Sequence, residues 1–202
     1  DGWGSSQMRV EAIALSHRVP SWGYSFTESR PDPSLDADKL DRDGVPRGPL
    51  WGALMRGHDI EHEGRTLRSE HYLLFSRAPR RVVIAGDNDQ PELLREACQG
   101  AQLLVHEATY TQAIAEAGKA DFGHSTAAQV AAFAASVQLP HLVLTHFSAR
   151  YQGAPNRGLS MDDIRVEAAE HFSANLILAE DLLRIRLDKQ GQLQWVERLG
   201  KD

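Results

Sequence analysis

The sequence predicts an α/β fold in which a sheet of short, buried strands carries a functional site along one edge. Three observations predict it. Residues 81–85, 103–105 and 142–145 are compact apolar runs of strand length, separated by segments of helical spacing. Each run ends in polar side chains that can bind a cation or move a proton: Gly86-Asp87, His106-Glu107 and His146. The composition of the 202 residues, 42% hydrophobic and 25% charged, is that of an ordinary globular chain with a proper core, in one large domain or two small ones.

In chain order, residues 10–15 alternate apolar and polar side chains as a strand does, with His17 just past the end, and residues 22–26 supply a returning strand. From Glu28 to about Ser76 the chain turns rich in Pro, Gly and charge, which reads as an inserted excursion punctuated by Val45, Leu50, Trp51, Leu54 and Met55. After the strand at 81–85, residues 91–98 have helical spacing with acids near the start, and Gly100 is the stop. The Ala-rich stretch 125–137 is a helix with Ser125 as N-cap, and Pro140 ends the connection. A helix over 161–172, strands near 175–178 and 182–187, a turn at Gln190-Gly191 and a last strand around 193–196 complete the chain.

Several function classes drop out early. No apolar run approaches the roughly 18 to 20 residues that span a bilayer. Twenty-two Lys and Arg against 28 Asp and Glu give a net charge of −6, so any polyanion-binding surface has to be local. Cys98 is the only cysteine, which removes an internal disulfide and a thiolate zinc cluster and makes a cytoplasmic location the plain expectation. Residues 1–9 lack the basic and apolar regions of a signal peptide and the chain begins with Asp, so a fragment or a processed chain is expected.

Imidazole and carboxylate are the ligands that zinc-like metals accept when thiolates are absent, so His17, Asp87, His106, His124 and His146 form the candidate set. Each alone is more often a hydrogen-bonded loop residue than a ligand; their shared place at one sheet edge is what argues for a site. Asp87 follows Gly86, which permits close backbone approach, and its two oxygens suit a bridge between two cations; the competing role is a cap for the helix starting near Pro91.

The segments Val105-His106-Glu107-Ala108-Thr109, Gly123-His124-Ser125-Thr126 and Leu144-Thr145-His146-Phe147-Ser148-Ala149-Arg150-Tyr151, in that order after Gly86-Asp87, resemble ribonuclease Z, the tRNA 3′-processing endonuclease family of the metallo-β-lactamase superfamily. The likeness extends to Ser16-His17-Arg18-Val19-Pro20-Ser21-Trp22-Gly23-Tyr24 and to Gly44-Val45-Pro46-Arg47-Gly48-Pro49-Leu50-Trp51-Gly52. It implies the C-terminal half of a metallo-β-lactamase-like αββα sandwich, with a flexible arm inserted at about 29–78. It also implies two zinc ions per complete active site, with His17, Asp87 and His146 as ligands and Asp87 as the bridge. His124 matches the histidine that gives a proton to the leaving 3′ oxygen, and Glu107 the carboxylate that orients it; an alkoxide leaving group does need an acid.

The same resemblance implies precursor tRNA as substrate, a homodimer, and RNA contacts from Arg47, Gly48, Pro49, Arg56, Ser148 and Arg150. Between Arg47 and Arg81 seven Arg (Arg47, Arg56, Arg65, Arg68, Arg77, Arg80, Arg81) stand against Asp59, Glu61, Glu63 and Glu70, a local +3 that suits phosphate contacts as well as it suits a solvated loop. Two departures matter. The superfamily's His-x-His-x-Asp-His signature is missing from these residues, and Asn88 follows Asp87 where the family usually has Thr. The chain therefore looks like the C-terminal part of a longer protein, and weak zinc retention and self-association are expected of it alone. A different metallo-β-lactamase-fold phosphodiesterase or esterase, and a non-catalytic tRNA-binding half-protein, are the alternatives.

Overall fold

The computed structural model describes residues 2–5, 8–29, 31, 33–75, 77–118, 123–152 and 158–196. Contacts divide them into two units, one of residues 2–5, 9–27 and 80–196, the other of residue 8 and residues 28–79. The chain enters through β1 (Gly2–Ser5), β2 (Met8–Leu15) and β3 (Ser21–Glu28). Along β3 Gly23, Ser25 and Thr27 are buried in strict alternation, the period of two that a pleated strand imposes.

Residues 28–79 are more ordered than their composition predicts. They hold β4 (Pro33–Leu35), α1 (Ala37–Arg42), α2 (Pro49–Met55), β5 (Ile60–His62), β6 (Arg65–Leu67) and β7 (Leu73–Phe75). Leu40, Val45, Leu54, Leu67 and Tyr72 form a core of their own, with Leu35, Leu50, Trp51 and Ile60 packed around it. Asp36 caps α1 by accepting from the Lys39 N–H, and Pro49 opens α2. The β5–β6 hairpin turns on Glu63 and Gly64, both at positive φ (48° and 72°), as a two-residue type I′ turn requires. The apolar residues are too scattered for a periodic signal, yet they converge.

The remainder runs through β8 (Arg81–Ile84), a 3-10 turn at Pro91–Leu94 leading into α3 (Arg95–Cys98), β9 (Leu103–Glu107), α4 (Gln112–Glu116), α5 (Ala127–Ser136), β10 (His141–Thr145), α6 (Met161–His171), β11 (Asn175–Leu178), β12 (Ile185–Leu187) and β13 (Leu193–Trp195). Three expectations need correction. The helix predicted over 91–98 is half 3-10, because only eight residues separate Pro91 from the terminating Gly100 (φ 70°). The strand predicted from residue 182 begins at Ile185, since Leu182 sits in a turn at φ 65°. The N-cap of α5 is Thr126, which forms a capping box with Gln129; Ser125 is drawn away because its N–H donates to Glu107 and its hydroxyl to the Asn88 carbonyl.

The large sheet has the order β1-β2-β3-β8-β9-β10-β11, with β8, β9, β10 and β11 parallel and β3 antiparallel to β8. One face carries α5, α6 and the Pro91–Cys98 segment, and buries Val83, Leu104, Leu142 and Leu144 against Leu94, Val130, Phe133, Ile164 and Ala168. On the other face Leu103, Val143 and Ile177 lie under Leu183, Ile185 and Leu193 of the β12–β13 region. That cover is partial: Ile84 stays 41% exposed and Trp22 49% exposed. Among the described residues no helix is long and apolar enough to cross a membrane.

Candidate metal and acid–base site

Parallel pairing sends the C-terminal ends of β8, β9 and β10 to one edge, so Asp87, Glu107 and His146 arrive together. Because β3 runs antiparallel to β8, the β2–β3 turn that carries His17 also lies at this edge. Gly86 is needed there: a Cβ would stand 2.8 Å from Ser21 Oγ and 3.0 Å from the Trp22 carbonyl, which accepts the Gly86 N–H.

Asp87 lies between two histidines. Its Oδ2 is 3.7 Å from His17 Nε2 and its Oδ1 is 3.7 Å from His146 Nε2. The capping role for Asp87 is not taken up, since the turn at Pro91 has Gln90 as its N-cap and no side-chain cap. Both histidines are held by their other nitrogen. His17 Nδ1 lies 2.8 Å from the Gly123 carbonyl, an acceptor only, so it carries the hydrogen and Nε2 is the lone-pair nitrogen. His146 Nδ1 lies 2.9 Å from Thr109 Oγ1, and His146 itself adopts the left-handed φ of 57°.

Glu107 is almost fully buried and its oxygens accept hydrogen bonds throughout. Oε1 receives the Ser125 N–H at 2.7 Å and the Asn88 N–H at 3.4 Å; Oε2 receives the Thr109 N–H at 2.9 Å and its hydroxyl at 2.7 Å. His124 Nδ1 is 3.4 Å from Oε1, and its ring stacks on His146 at 5.2 Å and tilts against His17 at 4.9 Å. Thr109, which sequence reading passed over, is thus the link between the Glu107 carboxylate and the His146 ring. Two groups among the described residues have the spacing to hold a metal ion: His17, Asp87 and His124, and Glu107, His124 and His146.

His106, the fifth candidate, stands apart. It is fully buried, with Nδ1 2.7 Å from the Glu107 carbonyl oxygen and Nε2 3.0 Å from Asn88 Nδ2. Burial pushes its pKa down, so the ring is neutral and acts as a structural partner. It follows an alternating strand pattern inward, whereas Glu107 sits at the strand's end.

No protein-family model matches the chain. Among curated proteins it is 51% identical over 192 residues to the ribonuclease Z of Pseudomonas putida strain GB-1, and 45% identical over 196 residues to that of Marinobacter nauticus. The chain is a homologue of ribonuclease Z. The alignments cover 95% and 96% of this chain but 60% and 61% of those relatives, so it spans about three fifths of their length. In fold it is similar to a metallo-beta-lactamase fold protein from Bacillus subtilis, with a TM-score of 0.52 and 15% identity over 89% of this chain and 50% of that one.

The residues that resemblance to ribonuclease Z marks for RNA fall in both units. In the 28–79 unit Arg47 lies over the Trp51 ring at 4.9 Å and pairs with Asp41 at 3.2 Å, while Gly48 (φ 136°) and Pro49 set the start of α2 and Arg56 its C-cap. This unit is not basic as a whole: residues 28–79 hold eight Lys and Arg against ten Asp and Glu. In the sheet unit Ser148 Oγ accepts from the Arg150 N–H, and the Arg150 guanidinium lies over the Tyr110 ring at 5.5 Å. A cleft of about 490 Å³ beside His146 is lined by Phe147, Ser148, Tyr151, Met161 and Asp181.

Proposed function

We propose that these residues form the Asp87-bearing part of a zinc-dependent endoribonuclease that removes the 3′ trailer of precursor tRNA by phosphodiester hydrolysis. The observation that carries the reading is Asp87 flanked at 3.7 Å on each oxygen by a different imidazole, with the Glu107–His124 pair beside them. Two donors on one tetrahedral zinc, each about 2.0 to 2.1 Å from it, lie roughly 3.3 Å apart, close to the spacing here. The donor set therefore fits: His17 with Asp87 Oδ2 on one side, His146 with Asp87 Oδ1 on the other. A catalytic zinc takes about three protein ligands, so this chain provides part of each shell. Zinc held there supplies Lewis-acid polarisation of the phosphoryl oxygen and a nucleophile at neutral pH.

The chain's own residues account for the other half of the reaction. Glu107 fixes the His124 ring through Nδ1, which leaves Nε2 to hold the proton given to the leaving 3′ oxygen. Thr109 keeps that pair in register with His146. Arg47, Gly48, Pro49 and Arg56 are the arm's contacts to tRNA, and Ser148 and Arg150 those near the scissile bond; a homodimer in the cytoplasm is the setting. These assignments rest on the resemblance to the ribonuclease Z relatives.

The test uses the full-length protein that carries these residues. His124→Ala lowers kcat on precursor tRNA by about 10² to 10⁴-fold and leaves tRNA affinity near wild type. Equal losses in turnover and affinity refute the acid role. Deleting residues 46–71 decides the substrate: loss of tRNA binding with retained hydrolysis of a small phosphodiester supports the tRNA reading, and unchanged tRNA binding points to a different phosphodiesterase.

A further inference from the structure

The geometry points to Asn88 as a positioning residue of the site, a group that ties the loops bearing His17, Asp87 and His124 to the buried face of the sheet. It deepens the reading of Asp87, His17 and His146 as a cation site and rests on it. Asn88 is fully buried and every one of its polar groups is engaged. Its Oδ1 accepts the N–H of Ser16, the residue before His17, and that of Gln90, both at 3.2 Å. Its carbonyl accepts the hydroxyl of Ser125, the residue after His124, at 2.6 Å. Its own N–H reaches Glu107 Oε1, and Asp87 is its direct neighbour.

The remaining bond decides why the residue is an amide. His106 Nδ1 faces a carbonyl oxygen, so Nδ1 carries the hydrogen and Nε2 of the neutral ring is an acceptor. It demands a donor, and Asn88 Nδ2 at 3.0 Å is that donor. In this chain one carboxamide both donates to the buried imidazole and accepts two backbone N–H groups on its other side. Aspartate would set an oxygen against the lone pair of Nε2, and threonine has one hydroxyl where the amide offers two separate groups. Substituting Asn88 therefore frees three loops together, whereas substituting any one ligand disturbs its own loop. Supporting groups of this kind typically change metal affinity by about 10 to 100-fold.

The experiment uses the 202-residue chain labelled with ¹⁵N, Co²⁺ as the probe, and the variants Asn88→Asp and Asn88→Thr. Two readouts are taken: the His17 Nδ1–H signal without metal, and the Co²⁺ concentration that broadens the His17 and His146 ring signals. Both variants are expected to keep the amide pattern of β9 and β10, to lose the protected His17 Nδ1–H signal, and to need at least tenfold more Co²⁺. A folded variant that keeps the His17 Nδ1–H signal and the wild-type Co²⁺ midpoint overturns the proposal. If the wild-type rings ignore Co²⁺, the partial shell of this chain alone does not hold the ion, and the metal-free His17 signal decides the role of Asn88: its loss in Asn88→Thr upholds the positioning, its persistence overturns it. Should Asn88→Asp fail to fold, Asn88→Thr, which buries no charge, carries the test.

Discussion

Replacing Glu107 by Gln is the sharpest probe of the acid–base half of the site, because it keeps shape and removes one acceptor. Four donors converge on the carboxylate. With the new NH₂ at the Oε1 position, the Ser125 and Asn88 N–H groups both face a donor. With it at Oε2, the Thr109 hydroxyl can turn to the His146 carbonyl oxygen 3.0 Å away, and only the Thr109 N–H is orphaned. The second arrangement is the cheaper one. A buried N–H without a partner costs about 1 to 3 kcal/mol, and the surviving bonds lose their charge assistance, so Glu107→Gln destabilises the sheet unit by about 2 to 4 kcal/mol.

Urea unfolding followed at the Leu104 and Leu142 amides, both buried in β9 and β10, reads this unit without counting residues 28–79. With a slope of about 2 kcal/mol/M, the midpoint falls by roughly 1 to 2 M. The exposed Glu170→Gln on α6 serves as control and stays within about 0.5 kcal/mol of wild type. If Glu107→Gln is as mild as that control, the convergence of donors on Glu107 does not hold the site together, and the orienting role assigned to it falls.

Three further outcomes follow from the structure. In Gly123→Ala a Cβ would sit 2.6 Å from His17 Nδ1 at a backbone φ of 94°, so the variant loses the His17–Gly123 bond and about 1 to 3 kcal/mol of stability; unaltered His17 ring signals would contradict this. His106 is kept neutral by burial, so its pKa is lower folded than unfolded, the unfolded chain binds the extra proton, and this contribution is present above about pH 6.5 and lost as pH falls towards the folded value. The urea stability of wild type therefore drops below pH 6.5 more steeply than that of His106→Gln, by up to about 1.4 kcal/mol per pH unit, and parallel slopes would refute it. The Cys98 thiol is buried and its pKa pushed up to about 12, so at pH 8 a thiol reagent modifies it only as fast as the sheet unit opens; fast labelling of the native chain would show the thiol is accessible.

The parallel strands were legible because they are short, apolar and cleanly bounded, and parallel strands that start from helices on one face must deliver their ends to one edge. His17, Asp87, His106, His124 and His146 were legible as a candidate set for that reason, and Glu107 only through the family resemblance. What the sequence hides is the choice among neighbours. His106 and Glu107 adjoin, yet a period of two sends one inward and leaves the other at the strand's end, where it collects donors. Ser125 and Thr126 compete for one cap, and the tertiary pull of Glu107 and Asn88 on Ser125 decides it. Asn88 shows as a departure from a family pattern, but its four-way bonding involves Ser16, Glu107 and Ser125, far away along the chain. The core of residues 28–79 escaped notice because Leu40 and Leu67 are isolated in polar sequence and meet Tyr72 only after the intervening short elements are folded back.

The antiparallel pairing of Thr27 with Arg81 and Phe26 with Val82 means that the excursion leaves and rejoins the sheet at points about 5 Å apart. Closure cost rises only about 0.6 kcal/mol with each doubling of loop length, so 53 intervening residues in place of a two-residue Asn-Gly turn cost the sheet roughly 3 kcal/mol. Such a port lets the length of the excursion be changed at a single point of the sheet. Residues 28–79 and the ends of β8, β9 and β10 lie on separate stretches of chain, and a laboratory can exchange the first while leaving the second in place.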